Sequence, residues 1–490
     1  MEIVMISAEA LPFAKTGGLA DVCGALPRRL ATLGHHCSFF LPGYAKALQA
    51  GYAMEDTHLG FVLDMDGKRM AARVLKHTST DGDVDFYFID QPHYFDRPFL
   101  YGDEHGGYSD NCERFAFFCR AVVEAIDRLK IQADIVHCHD WQAGLVPAYI
   151  KTRFGNHQWY QRAGVVTTIH NLAYQGRFWV HDMPLTGLDW QYFNSEQMEF
   201  YGDLSFLKTG IVFADRVTTV SPTYAKEIQL PAFGCGLDGV LRKLGDRLTG
   251  IVNGVDYTLW DPQQDPFLPQ TYNVENWRTG KAAARALLQR ELGLADEPGV
   301  PLIGLIGRLA GQKGWDLVVP LMRRWAQNRQ VQWAILGSGE ARLQQAVLEL
   351  SHEFPQRIGA RIDFSDRLAH LIEAAADIFL MPSQYEPCGL NQLYSLRYGT
   401  IPVVHAVGGL VDTVTSASPV SIAKNTATGF SFHHYEAESL ERCLGEALDY
   451  FEREPKLWGR MVETGMLQDW SWNKSAEAYS QIYALAKPCL

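Results

Sequence analysis

Along the first half of the chain, short apolar runs alternate with stretches of helical periodicity. The runs fall at residues 3–6, 37–41, 135–138, 165–169, 217–220 and 249–252, each followed by a polar or glycine-containing corner. Continuous apolar runs bounded in this way, with amphipathic segments between them, predict a parallel sheet covered by helices on both faces. Residues 54–90 have another texture. There Asp66-Gly67 and Asp81-Gly82 punctuate alternating segments, which predicts antiparallel hairpins added at one edge. After a polar, proline-bearing stretch at 253–269 a second series begins, with strands expected at 302–306, 331–336, 361–364, 378–381 and 401–404 and helices at 315–327, 340–353, 367–376 and 391–398. The pattern is α/β throughout: two Rossmann-like domains, 1–252 and 253–471, with chemistry expected in the crevice at the carboxyl ends of the strands.

Composition narrows this picture. A length of 490 residues fits two or three domains, and 47% hydrophobic with 20% charged residues is ordinary for a globular enzyme. The net charge of −12, with no basic run, argues against a nucleic-acid partner and against a polybasic membrane patch. No apolar run approaches the ~18 residues of a spanning helix. Nine cysteines without a Cys-x-x-Cys pair, and Glu2 where a signal peptide would be basic, read as a reduced, cytoplasmic enzyme.

Polar residues gather where the predicted strands end. In the first half these are Lys15, Gly17, Gly18 and Asp21, then His139-Asp140-Trp141, then His170-Asn171, then Asn253. The glycines precede an amphipathic helix and leave backbone N–H groups at its positive end beside Lys15. That is a place to hold an anion, or equally a glycine-rich turn with one solvated lysine. In the second half, Arg308 and Lys313 lie in Gly307-Arg308-Leu309-Ala310-Gly311-Gln312-Lys313-Gly314. Both can reach one diphosphate, the arginine through its bidentate fork; the competing reading is a solvated loop. More specific is the turn Glu386-Pro387-Cys388-Gly389, which opens a helix near Leu390, aims the N–H groups of Leu390 and Asn391 at an anion, and projects Glu386 beside it. A carboxylate there suits sugar hydroxyls or positive charge developing at an anomeric carbon, the plainer alternative being a helix cap.

Metal-like and cofactor-like patterns are weaker. Asp64-x-Asp66 and Asp83-x-Asp85 fall in hairpin turns where aspartate is expected, and His137-x-His139 lacks further ligands at suitable spacing, so core and cleft histidines are the better reading. Gly337-x-Gly339 has Arg342 where a dinucleotide fingerprint has its third glycine.

Taken in order, Lys15-Thr16-Gly17-Gly18-Leu19-Ala20-Asp21-Val22, His139-Asp140-Trp141, Thr168-Ile169-His170-Asn171-Leu172-Ala173-Tyr174-Gln175-Gly176, Val220-Ser221-Pro222-Thr223-Tyr224, Asn253-Gly254-Val255-Asp256, Gln312-Lys313-Gly314 and Glu386-Pro387-Cys388-Gly389-Leu390 resemble the motif set of bacterial glycogen synthases and plant starch synthases. The resemblance spans nearly the whole chain. It implies a GT-B fold, ADP-glucose as donor, and glucose transfer with retention to the non-reducing 4-hydroxyl of an α-1,4-glucan primer, with no metal or other cofactor. By position it implies that Lys15, Arg308 and Lys313 hold the pyrophosphate, helped by the backbone of Gly18 and by the turn of Gly389, Leu390 and Asn391. His170, Asn253, Glu386 and Cys388 would surround the donor glucose, with Asn171 in the same substrate-binding set. Asp140 and Trp141 would lie beside glucose and acceptor, and Asp21 would order the first loop. The C-terminal segment 472–490 would pack back on the first domain.

The chain departs from that family at Gly307, more often serine, at Gln384, more often arginine, and at Asn391, more often threonine. The three cations and Glu386 are kept, so the departures bear on donor affinity and nucleotide preference. They also leave open a binding protein with the synthase fold and little turnover, whereas Arg342 disfavours a nicotinamide oxidoreductase. Because Lys15 and Arg308 fall in different domains, transfer is expected to need closure of the crevice, which would also exclude water.

Overall fold

Two parallel sheets account for the alternation of strand and helix in a computed structural model that describes residues 1–79, 82–103, 106–153 and 160–488. Asp81 of the second expected hairpin turn and the last two residues of the 472–490 segment lie outside the described residues. The chain divides into two compact units, Met1–Gly254 together with Trp472–Leu490, and Val255–Ser471. The division falls after Gly254, later than the boundary expected at 252, so Asn253 belongs to the first unit.

In the first unit the sheet order is Leu248–Gly250, Arg216–Thr219, Gly164–Ile169, Ile135–His139, Glu2–Ile6, His36–Pro42, Val84–Asp90, Lys68–Thr78, Glu55–Met65. The first seven strands pair in parallel. The last two form the antiparallel edge that the 54–90 texture predicts, joined by a turn whose Asp66 and Gly67 both have positive φ, as a tight hairpin requires. Ile3, Val4, Met5 and Ile6 are fully buried, which is why the central strands read as continuous apolar runs. Glu2–Ile6 is first in the chain but lies inside the sheet, with later strands added on both sides of it in opposite directions, so the carboxyl ends beside it form the switch point of this sheet. The C-terminal helix Trp472–Ala486 packs on this unit: Ser475 Oγ donates to Val252 O at 2.6 Å, and Lys487 Nζ meets Asp134 Oδ1 at 2.7 Å.

The second unit carries six parallel strands in the order Ile358–Arg361, Gln332–Leu336, Leu302–Ile306, Ile378–Met381, Ile401–His405, Phe430–Phe432. The strand expected at 361–364 is displaced to Ile358–Arg361. Gly359 and Ala360 carry little apolar bulk of their own, but the Leu292 side chain lies where a Cβ on Gly359 would be, and Phe364 is 68% exposed. The switch point here lies between Leu302–Ile306 and Ile378–Met381.

Candidate active site

In the first unit, Lys15 lies beyond the end of Glu2–Ile6, and its Nζ donates to Asp21 Oδ1 at 2.9 Å in the first turn of helix Gly18–Thr32. Gly18 opens that helix. The sequence leaves the loop N–H groups open to an anion, but the structure corrects this for two of them. Thr16 N and Gly17 N donate to the carboxylate of Glu9, at 2.5 and 3.4 Å. Glu9, only 3% exposed, also accepts from Thr16 Oγ1 at 2.6 Å and Tyr101 Oη at 2.7 Å. Sequence reasoning overlooks Glu9, whose only signal is a carboxylate shortly after a buried strand.

Asp140 follows Ile135–His139 with φ +56°, a region costly for any residue with a Cβ and one that recurs at functional sites. Its N–H donates to Thr168 O at 3.0 Å and its Oδ1 accepts from His170 N at 2.7 Å. Burial pushes its carboxyl up to about 7, against the pull of the His170 and Asn171 N–H groups and with a push from the charge of Glu9. Beside it stands a column of imidazoles. His170 Nε2 faces His139 Nδ1 at 3.0 Å, while His137 bonds Thr168 Oγ1 at 2.6 Å and Tyr483 Oη at 2.9 Å. Burial brings His137 and His170 down to about 3 and His139 well below the usual histidine range, so all three are neutral rings at pH 7. Trp141 packs edge-on against Phe115 and Phe178, with ring centroids 4.8 and 5.7 Å away. Gly176, at φ +56°, leaves room for that indole, which a Cβ there would strike. Asn171 Oδ1 accepts from Ala173 N at 3.0 Å, and Asn253 is buried after the edge strand Leu248–Gly250.

In the second unit, Arg308 is exposed after Leu302–Ile306, and its carbonyl accepts from Trp315 Nε1 at 3.2 Å. Lys313 closes a single 3-10 turn, Gly311–Lys313, ahead of helix Trp315–Asn328. Gln312 fastens that turn to the strand end of Ile378–Met381: its carbonyl accepts from Gln384 N at 2.8 Å and its side chain donates to Tyr385 O. This brings Lys313 Nζ to 2.6 Å from Glu386 Oε2, which also accepts from Ser383 Oγ at 2.9 Å. The two side chains are 28% and 9% exposed. Cys388 is buried, and Gly389 turns at φ +71°. Leu390 caps helix Asn391–Tyr398, and Asn391 Nδ2 donates to Ile306 O at 3.1 Å, tying the helix start to the neighbouring strand. Ser383 and Gln312 thus position the charged pair, a role their place in the sequence does not reveal.

The first unit therefore offers neutral imidazoles, a carboxyl that titrates near neutrality and an indole face, and the second a cation held on a carboxylate. Among the described residues, no group of three or more His, Cys, Asp or Glu side chains could hold a metal ion, and no helix is long and apolar enough to cross a membrane.

The family model for the starch synthase catalytic domain matches residues 2–243, and that for glycosyl transferases group 1 matches residues 293–465. A glycogen synthase of Rhodopirellula baltica is 48% identical over 99% of this chain and 97% of its own, and one of Anaeromyxobacter sp. is 45% identical over 100% of both. The chain belongs to the glycogen and starch synthase family. Its fold is GT-B: the catalytic domain of starch synthase IV from Arabidopsis thaliana, solved with ADP and acarbose, matches it with a TM-score of 0.91 at 31% identity over 99% of each chain. A sucrose-phosphate synthase of Thermosynechococcus elongatus, with a TM-score of 0.60 at 19% identity, covering 99% of this chain and 98% of its own, shares the fold alone. Within the synthase family the chain is a glycosyltransferase, as the resemblance of its motifs implies.

Proposed function

We propose that this chain transfers glucose from ADP-glucose to the non-reducing 4-hydroxyl of an α-1,4-glucan, with retention at the anomeric carbon. The observation that carries this reading is the full-length likeness to a starch synthase domain solved with ADP and acarbose. ADP is the product such a donor leaves behind. Breaking the glucosyl–phosphate bond develops an oxocarbenium-like carbon and releases a diphosphate, so catalysis draws on charge placed in advance on the leaving group and on dipoles around the sugar. Lys15, Arg308 and Lys313 are assigned to the diphosphate, with the backbone of Gly18 and the turn of Gly389, Leu390 and Asn391. These cations leave no need for a metal or other cofactor. Glu386, His170, Asn171, Asn253 and Cys388 are assigned to the donor glucose, and Asp140 and Trp141 to the region where glucose meets acceptor. Asp21 orders the first loop, a role its 2.9 Å pair with Lys15 supports. A neutral His170 suits hydrogen bonding to a sugar hydroxyl better than proton donation.

The enzyme is assigned to the cytoplasm, which the eight free cysteines among the described residues support. The reading is tested by incubating the protein with radiolabelled ADP-glucose or UDP-glucose and glycogen. We expect label in α-1,4 linkage at non-reducing ends, faster from ADP-glucose. No transfer from any nucleotide sugar would sink the reading and leave a binding protein in its place.

A further inference from the structure

Glu9 has no place among the roles assigned above, yet its buried carboxylate collects four donors. Two are backbone N–H groups of the loop that carries Lys15, and a third is the hydroxyl of Thr16 in the same loop. The fourth is Tyr101 Oη, and the Tyr101 ring lies 6.0 Å from that of Phe115 and 6.3 Å from that of Trp141. One carboxylate thus joins the loop assigned to the diphosphate to the aromatic wall assigned to the acceptor. Residues 15–18 are exposed and have little packing of their own. The Glu9 anchor holds the loop together with the Lys15–Asp21 pair and the bond from Ala20 N to Gly17 O at 3.3 Å. Burying a carboxylate is costly unless donors surround it, and here they come from both structures it joins.

We infer that Glu9 is a positioning residue for the proposed transfer: it fixes the Lys15 loop and the Tyr101–Trp141 wall in one arrangement, so that donor binding and glucan binding both depend on it. The inference rests on the glucosyl transfer proposed above. The joint works through hydrogen bonds. A glutamine at this position can keep all four, its oxygen accepting from Thr16 N and Gly17 N and its NH2 donating to the Thr16 and Tyr101 hydroxyls, which accept as readily as they donate. Alanine removes them all.

The test measures steady-state transfer with ADP-glucose and glycogen varied separately, and ADP binding by titration calorimetry, for wild type, Glu9→Ala, Glu9→Gln and Thr16→Val. We expect Glu9→Ala to raise both KM values about tenfold while kcat falls less than about threefold, and Glu9→Gln to stay within about twofold of wild type. Thr16→Val, which cuts only the loop's hydroxyl, should raise the ADP-glucose KM alone, by about threefold. A merely structural role would lower the yield and apparent kcat of Glu9→Ala and leave both KM values in place. That result overturns the inference, as does a folded Glu9→Gln as impaired as the alanine variant. Should Glu9→Ala fail to fold, an unchanged ADP-glucose KM in Thr16→Val overturns it. A wild-type protein that binds ADP but transfers nothing defeats the proposed function instead, and the ADP affinities of the same variants then decide the loop arm of the joint.

Discussion

The histidine and aspartate cluster of the first unit and the Lys313–Glu386 pair of the second are kept in opposite states. In the first, Asp140, His137 and His139 are buried and His170 is half-buried, and desolvation moves all four toward the uncharged form. In the second, a buried Glu386 is paired at 2.6 Å with a half-buried Lys313. The difference follows from pairing. A buried group with no opposite charge beside it is pushed toward its neutral form, whereas Glu386 has the Lys313 ammonium at hydrogen-bond distance. Glucosyl transfer has use for both states. A departing diphosphate is best met by fixed positive charge, an anomeric carbon gaining positive charge by a carboxylate, and sugar hydroxyls by neutral hydrogen-bonding groups.

The sharpest way to break this contrast is to remove charge from the second unit. Glu386→Ala should lower kcat by about 10^3, and Lys313→Ala by about 10^2 with the glucan KM within about twofold of wild type, both read from initial rates with labelled donor. Losing the neutral ring in His170→Ala should cost less than either. If the histidine variant is the most damaged of the three, charge placement is not what the second unit contributes. A Lys313→Ala enzyme whose glucan KM rises in step with its loss of kcat would likewise remove Lys313 from the leaving group.

Much of this contrast is legible in the sequence, and the reasons for the rest are physical. Strands Leu302–Ile306 and Ile378–Met381 and helix Asn391–Tyr398 have the bounds their apolar runs predict, because each is buried along its length or opens at a glycine turn. Ile358–Arg361 escapes because a neighbouring helix supplies the bulk that its own residues lack. Site positions at strand ends are visible because parallel sheets put chemistry there. What those residues do to one another is not. Nothing in the spacing of Lys313 and Glu386 says that Gln312 and Ser383 bring them into contact, and nothing near Glu9 says that it fills the N–H groups of Thr16 and Gly17. Some of these partners lie far apart in sequence, as Lys313 and Glu386 do, and others close together, as Ser383 and Glu386 do, but in each case loop packing and not spacing selects them.

A smaller effect is expected where the first unit shapes its apolar wall. Gly176→Ala forces a Cβ toward the Trp141 indole at a positive φ, so the variant should lose about 2–3 kcal/mol of stability in chemical denaturation. Its glucan KM should rise while its ADP-glucose KM stays near wild type. Equal rises in both would mean that Trp141 serves the donor as much as the acceptor.

The finest test of the contrast is the proton on Asp140. An unfolded aspartate titrates near 3.9, and burial holds Asp140 near 7. The folded chain therefore keeps a proton that the unfolded chain has lost, and the resulting stability is complete below about 3.9 and disappears as pH rises through 7. From pH 6 to pH 8 this group alone should withdraw about 1.4 kcal/mol. Asp140→Asn keeps the bond from His170 N and has no proton to lose, so chemical denaturation at the two pH values should show a smaller fall for the variant by that amount. Other titrating groups, such as the buried Lys281 and Glu373 of the second unit, are common to both proteins and cancel in the difference. The histidines cannot mimic the effect, because their folded values lie below the unfolded one: what they contribute is present above about 6.5 and lost as pH falls. An identical fall in both proteins would mean that Asp140 is already ionised at pH 6, and the first unit would then carry a fixed negative charge where neutral groups are proposed to hold the sugar.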